Sequence, residues 1–389
     1  MPTGVATSVG ITFWQNWGVT VENCTVILLL IIIALLIRKA STLPDWVSAA
    51  RQLRARKLPM IALVIVVAYA IVGVLDSISW RDVTLDNIGV VMRGPDGNPV
   101  LQSQSKTLLD RTFALCAGKP LVDFEEKTYS APLDSKQFVR DSIIKPDGTV
   151  QRDFPDLNQP KRHVLGTDRT GRDTLYAGLK GIRTALILGL FTTLIAVPLA
   201  ILFGVLAGYY GGRVDDAIQY FYTTLSCIPS VLLIIAFMMI VGERSLLMLC
   251  IAMGITSWTE LCRLLRAETL KTRELDYVQA AEGMGVSRAA MLFRHIVPNL
   301  MHIILITTVL RFSGLVMSEV ALAYIGVGVD ASAGSWGNMI TTAKEELGRD
   351  PMIWWNLSSA FVFMFVLVLS VNLLGDALRD ALDPKLRTR

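Results

Sequence analysis

The sequence predicts an all-α polytopic membrane protein of about seven transmembrane helices, with a small external domain, α+β or mostly irregular, inserted after the second helix. Three observations lead there. Of 389 residues, 52% are hydrophobic and 18% charged, against about 25% charged in ordinary soluble domains. The mean hydropathy is +0.50. The apolar residues gather into runs of membrane-crossing length separated by charged segments. A soluble enzyme does not fit this distribution. The net charge of +4 is scattered, without the clustered basic face and interleaved aromatics of a nucleic-acid binder. Cys24, Cys116, Cys227, Cys250 and Cys262 lie far apart and, with only three histidines, encode neither a disulfide framework nor a zinc site.

The first run, residues 24–37, follows a segment without Lys or Arg, so the basic start of a secretory signal is missing and the run reads as a retained span. Arg38, Lys39, Arg51, Arg54 and Arg56 follow it, against the single acid Asp45. The positive-inside rule puts that loop in the cytoplasm and the N-terminus outside. Residues 58–75 cross back and deliver Asp76 and the chain to about Val164 to the external face. There the composition changes: the turns Pro95-Asp96-Gly97-Asn98 and Pro146-Asp147-Gly148 alternate with short apolar stretches that include Val139 and Ile143-Ile144. Five more spans follow, at 184–209, 223–241, 246–262, 299–325 and 354–374, and alternation leaves the Arg-rich stretch 263–294 and the C-terminal tail inside. The organisation is therefore 1–57, an N-terminal span and basic loop; 58–75, the next span; 76–165, the external domain; and 166–389, the membrane domain with a cytoplasmic loop at 263–298.

That loop contains DYVQAAEGMGVSRAAMLFRHIVPN over residues 276–299. Asp276 and Gln279 have capping-box spacing, Gly285 suits a left-handed helix end, and Ser287 can cap a second helix. In that helix Ala289, Leu292, Phe293 and Ile296 form one apolar face, and Pro298 suits the first turn of the sixth span. These residues resemble the signature loop of the permease subunits of ATP-binding-cassette importers, standing here as Gln279-Ala280-Ala281, Gly285 and Ile296-Val297-Pro298, with Gln where the pattern has Glu. The resemblance implies a coupling helix that docks in a groove on a separate ATPase subunit.

The run Gly166-Thr167-Asp168-Arg169-Thr170-Gly171-Arg172-Asp173 and Gly181-Ile182-Arg183 resembles the segment leading into the membrane domain of dipeptide, oligopeptide and nickel importer permeases. Gly211-Gly212-Arg213-Val214-Asp215, Ile228-Pro229-Ser230, Arg263-Leu264-Leu265-Arg266, Ser335-Trp336-Gly337 and residues 375–384 follow in that family's order, most similar to its C-type subunit. The match covers about 58–75 and 160–389. It implies a six-helix importer core plus one extra N-terminal helix, a second homologous permease, two ATPase subunits that bind ATP and Mg, an external substrate-binding protein, and a place in the bacterial inner membrane. Peptide is the implied cargo, with nickel or another small solute as the alternative. Physically, Thr167, Asp168 and Asp173 are turn and cap formers, which favours structural punctuation over substrate contact for the 166–173 motif.

An ionisable group at mid-bilayer costs at least about 2.5 kcal/mol unless it faces protein or water. Arg311 lies roughly 18 Å into the sixth span. It either faces the pathway and meets a cargo carboxylate or carbonyl, or pairs with an acid on a neighbouring span or on the partner permease. Glu319, nearer the external end, has a gate role or a structural one. Glu260, at the inner end of the fifth span, reads as solvated or paired with Arg263 or Arg266. Trp336, Trp354 and Trp355 read as core or as interfacial anchors, and Asp376, Arg379 and Asp380 as a weak helical charge pair or an ATPase contact. His163, His295 and His302 occupy separate compartments or depths and make no metal site. No Gly-x-x-x-x-Gly-Lys-Ser/Thr motif and no nucleophile, base and orienter set occurs. A stand-alone secondary transporter would need internal repeats and more buried ionisable groups than Arg311 and Glu319 supply.

Overall fold

The computed structural model describes residues 44–81, 92, 106–117, 126–144, 150–330 and 333–382, and single positions at 23, 24, 27, 31, 35 and 38. The first predicted span, the side chain of Cys116 and the turns at 95–98 and 146–148 lie outside the described residues. Five described helices are long and apolar enough to cross a membrane: α2 (Lys57–Ser77), α4 (Thr174–Tyr210), α7 (Leu246–Arg273), α9 (Arg288–Ile325) and α11 (Trp355–Leu382). The shorter helices are α1 (Pro44–Ala55), α3 (Leu108–Ala117), α5 (Gly212–Ser226), α6 (Ser230–Val241), α8 (Asp276–Gly283) and α10 (Trp336–Glu346). The chain divides into two compact units, Met1–Val47 with Ala68–Arg183, and Ser48–Val67 with Thr184–Arg389.

The first unit carries two small antiparallel sheets. Strands β1 (Ser79–Trp80) and β2 (Lys106–Thr107) pair Ser79 with Thr107, and β3 (Asp141–Ile144) and β4 (Val150–Asp153) pair antiparallel with Ile144 opposite Val150. Its interior is rich in polar groups: Ser130, His163, Thr167 and Asp173 are buried with Tyr129 and Leu157. So small a unit cannot exclude water with apolar mass alone, and buried polar atoms must be bonded internally. At its membrane-proximal end Lys180 of α4 binds Asp76, donates to Thr107 Oγ1 at 3.0 Å and lies 3.5 Å from Asp110.

The second unit is helix on helix, with two apolar cores. One joins Ala200 and Val205 of α4, Tyr222 of α5, Trp258, Leu261 and Leu265 of α7, Val278 and Ala281 of α8, and Met291, Ile296 and Leu300 of α9. The other joins Leu188, Ile234, Met238, Leu249, Met253 and Leu322. Helices α4 and α7 meet through small residues: a β-carbon on Gly204 would come within 2.7 Å of the Cys262 carbonyl. Such close backbone approach is how membrane helices associate when apolar surface alone gives no preference over lipid. Trp336 and Trp355 belong to this interior, whereas Trp354 is exposed.

One predicted span is corrected. Residues 223–241 are not one straight span: α5 and α6 meet at an 84° bend. Pro229 stands just before α6 with extended ψ, so the apolar run is cut where its ring and missing N–H oppose a continuous helix. Pro298 stands, as expected, in the first turn of the α-helical stretch Val297–Ile325 of the sixth span. Helix α9 runs through it from Arg288, and residues Met291–Ile296 are wound as a π-helix. The wider i to i−5 winding ahead of the proline accommodates the backbone where a regular α-turn would meet the ring.

Candidate functional site

The loop between α7 and α9 forms an elbow built from backbone geometry. Helix α8 ends in a Schellman motif: Gly285 has φ 79°, its amide donates to the Glu282 carbonyl at 2.9 Å, and the Val286 amide reaches the Ala281 carbonyl at 3.2 Å. Only glycine occupies that left-handed position without strain. Ser287 then caps the next helix, accepting from the Ala290 amide. The predicted Asp276–Gln279 capping box is not formed: Leu275 holds the cap position, and the Gln279 side chain donates to the Glu274 carbonyl at 3.3 Å. Of the signature residues, Ala281 and Ile296 are buried, whereas Gln279, Ala280, Gly285 and Pro298 are exposed.

The apolar face of the second helix also differs from the 3.6-residue expectation. Met291, Leu292 and Ile296 are buried, but Ala289 is exposed and Phe293 is 74% exposed. The π-winding brings positions five apart, Met291 and Ile296, onto one face and turns Phe293 outward. Met284, at the bend, is 78% exposed. Met284 and Phe293 are thus the most open large apolar side chains of the elbow, ahead of Leu275 and Tyr277.

The elbow is tied firmly to its neighbours. Asn299 of α9 donates to the Tyr277 hydroxyl at 2.7 Å, Arg288 stacks over the Tyr210 ring, and Arg273 reaches the Gly208 and Tyr209 carbonyls at the end of α4. Arg266 of α7 holds Asp215 of α5 with two parallel bonds, one of 2.6 Å. Tyr277, Asn299 and Arg273 did not emerge from the sequence, because their partners sit far away in the chain or on main-chain carbonyls.

Within the spanning helices, Arg311 of α9 binds Glu260 of α7 and the Ser257 carbonyl. Glu260 therefore does not pair with Arg263 or remain merely solvated, and Arg266 is engaged by Asp215. Glu319, 5% exposed, accepts from the Ser335 hydroxyl and the Gly337 amide at the start of α10. The Ser335 hydroxyl in turn accepts from the Asn338 amide.

The 166–173 motif lies in the first unit and is bonded to itself. Asp168 Oδ1 accepts from the Thr170 amide, the Thr170 hydroxyl and the Arg172 amide; Thr167 Oγ1 serves Thr128 and Ser130; and the Thr174 amide reaches the Gly166 carbonyl. Gly171 has φ 77°, and its carbonyl accepts the Glu126 amide at 2.8 Å. Asp173 Oδ1 caps α4 through the amides of Leu175 and Tyr176, and Asp173 Oδ2 is 3.0 Å from His163 Nδ1. The polar atoms named here are occupied by internal bonds.

Comparison with known sequences bears on what this architecture serves. The family described as "Binding-protein-dependent transport system inner membrane component" matches residues 200–388. The oligopeptide transport system permease protein OppC of Bacillus subtilis is 35% identical over 227 residues, 58% of this chain and 73% of the relative. The chain belongs to this permease family. The di/tripeptide transport system permease protein DppC of Pseudomonas aeruginosa is 33% identical over 257 residues, 66% of this chain and 82% of its own. OppC of Escherichia coli is 32% identical over 302 residues, 78% of this chain and 96% of its own. As a member of the binding-protein-dependent permeases, the chain is a transport subunit without an ATPase domain, and the elbow, the intramembrane pair and the 166–173 node are features of that subunit.

Proposed function

We propose that this permease conducts peptides across the bacterial inner membrane, forming the pathway with a homologous permease while two separate ATPase subunits bind ATP and Mg and an external binding protein delivers the cargo. The names of its relatives, which carry oligopeptides and di- or tripeptides, support peptide as the cargo. Counting α5 and α6 as one broken span gives six described crossings, and residues 24–37 add a seventh, with the N-terminus outside and the C-terminus in the cytoplasm.

The observation that carries the reading is the elbow. Gln279, Ala280, Ala281, Gly285, Ile296 and Pro298 shape a bend that displays Met284 and Phe293 and is fastened to α9 by Tyr277 and Asn299. A partner that seats on Met284 and Phe293 and moves with its nucleotide state pulls on a spanning helix through a short, well-packed lever. Such a partner shifts the membrane domain only by contacting its inward and outward forms differently. Arg311 lines the route, Glu319 fixes the external end of α9 to α10 at its outer gate, and the 166–173 node positions the first turn of α4.

The test is reconstitution. Vesicles holding both permeases, both ATPase subunits and the binding protein should accumulate a labelled peptide only with ATP. Vesicles holding this chain alone should accumulate none. Full-rate uptake by this chain alone would overturn the reading.

A further inference from the structure

The Glu260–Arg311 pair joins two different spanning helices within their apolar lengths. Counting from Leu246 to Glu260 along α7 and from Arg311 to Ile325 along α9 gives the same roughly 21 Å, within a hydrocarbon slab of about 30 Å. The two charges therefore share a depth, as their contact requires. Arg311 is the better enclosed partner, 23% exposed in its side chain and held by both Glu260 and the Ser257 carbonyl. Glu260 is 83% exposed. A carboxylate so open at that depth is not compatible with lipid and must face water or protein.

The surroundings favour water. Along α7 the exposed or half-buried positions Thr256, Glu260, Arg263 and Ala267 recur at helical spacing, and along α9 Thr307, Arg311, Gly314 and Ser318 do the same. Each helix thus carries a strip of small and polar residues past the pair, with exposed Leu264 and Met317 beside it. A dry contact between membrane helices uses small, close-packed residues, whereas ionisable groups inside a span mark the routes of ions and solutes.

We propose that Glu260 is a cation-recognising residue on the translocation route, receiving an ammonium group of the cargo, a peptide amino terminus or a basic side chain, as it passes. Arg311 is the positioning residue: with its guanidinium committed to Glu260 and Ser257, it holds the carboxylate at the wall, and it is not itself the receptor for a cargo carboxylate. The inference rests on the pathway reading above. The two losses are felt differently: removing Glu260 removes the acceptor, while removing Arg311 leaves the carboxylate and takes away the positive charge beside it.

The experiment uses the assembled importer with its binding protein, in a chain whose five native cysteines are replaced and Thr256→Cys, one turn from Glu260, is the reporter. The probes are a cationic trimethylammonium-ethyl and an anionic sulfonato-ethyl methanethiosulfonate of similar size. The cysteine should react with both from water, faster with the cationic one, and Glu260→Gln should lower the cationic-to-anionic rate ratio about tenfold. Arg311→Gln should leave the cationic preference in place or raise it. No reaction in either the nucleotide-free or the vanadate-trapped state would mean that the pair faces the partner permease, and overturns the proposal. A ratio unchanged by Glu260→Gln overturns it equally. Binding-protein-stimulated ATP hydrolysis of the same preparations is read in parallel, since its absence would fault the importer reading rather than the role of Glu260.

Discussion

His163 Nδ1 lies 3.0 Å from one oxygen of Asp173, whose other oxygen accepts the amides of Leu175 and Tyr176. A single carboxylate thus caps α4 and grips the preceding loop. On the far side of the ring, His163 Nε2 is 3.6 Å from Glu126, which itself accepts the amides of Asn158 and Gln159. A buried imidazole between two carboxylates is stabilised as the imidazolium.

This arrangement makes the first unit pH-dependent. Burial alone lowers the His163 pKa, but the Asp173 and Glu126 carboxylates outweigh it and hold the group above its ordinary 6.5. A folded-state pKa that is raised contributes stability in full below the unfolded value and loses it as pH rises through the folded one. Residues 126–183 should therefore resist proteolysis better at pH 6 than at pH 8.5. His163→Gln should abolish most of that difference and cost about 3 kcal/mol at pH 6, because two buried carboxylates lose their shared partner. Equal cleavage rates at the two pH values in the unaltered protein would refute the assignment.

The spans were legible in the sequence because bilayer thickness dictates the length of an apolar run, and α2, α4, α7, α9 and α11 each contain one. Helix ends were less legible. Helix α4 begins at Thr174, ten residues before its apolar run, because the Asp173 cap and not hydropathy starts it. The break at Pro229 was hidden because the residues on both sides are equally apolar. The elbow's turn chemistry was readable at Gly285 and Ser287, where one residue type satisfies a local backbone demand. Its exposed face was not, since a 3.6-residue reading of the apolar pattern cannot anticipate the π-winding that turns Phe293 outward. Glu260 and Arg311 were each visible as costly charges, but their pairing joins residues 51 apart on separate helices and has no local signal.

Gly171 offers a sharper steric test. A β-carbon there would fall 1.7 Å from the Glu126 carbonyl oxygen, a backbone atom that cannot step aside, and φ is 77°. Gly171→Ala should destabilise the first unit by about 3 kcal/mol or more, through clash and backbone strain together. Protease resistance of residues 126–183 measures it, and resistance equal to that of the unaltered chain would contradict the described backbone.

Gly337 tests the junction of α9 and α10. An added β-carbon would stand 2.6 Å from that of Ala323 and 2.9 Å from Glu319 Oε1. Gly337→Ala should push α10 from its capping carboxylate at a cost of about 2 kcal/mol, the usual range for overpacking. In the pathway reading it should also slow peptide uptake more than it slows ATP hydrolysis, because the strain lies at the external end. Thermal unfolding of the purified importer gives the first quantity and paired uptake and hydrolysis rates give the second.

The elbow provides the test of coupling. Phe293 and Ile296 are three residues apart in one π-helical turn, yet Phe293 is exposed and Ile296 has no exposed surface. If Phe293 seats in an ATPase subunit, Phe293→Asp should leave expression, membrane insertion and pairing with the second permease intact while cutting co-purification of the ATPase subunits about tenfold. Exposed apolar anchors of this kind carry much of the binding free energy at an interface, whereas a surface change of this type barely alters the free subunit. Ile296→Asp is the contrasting variant. It buries an unpaired charge among Leu265, Met291 and Leu300, so it should lower the amount of folded permease itself. Retention of the ATPase subunits by Phe293→Asp at the unaltered level would remove the elbow as the docking point, whatever Ile296→Asp does to the fold.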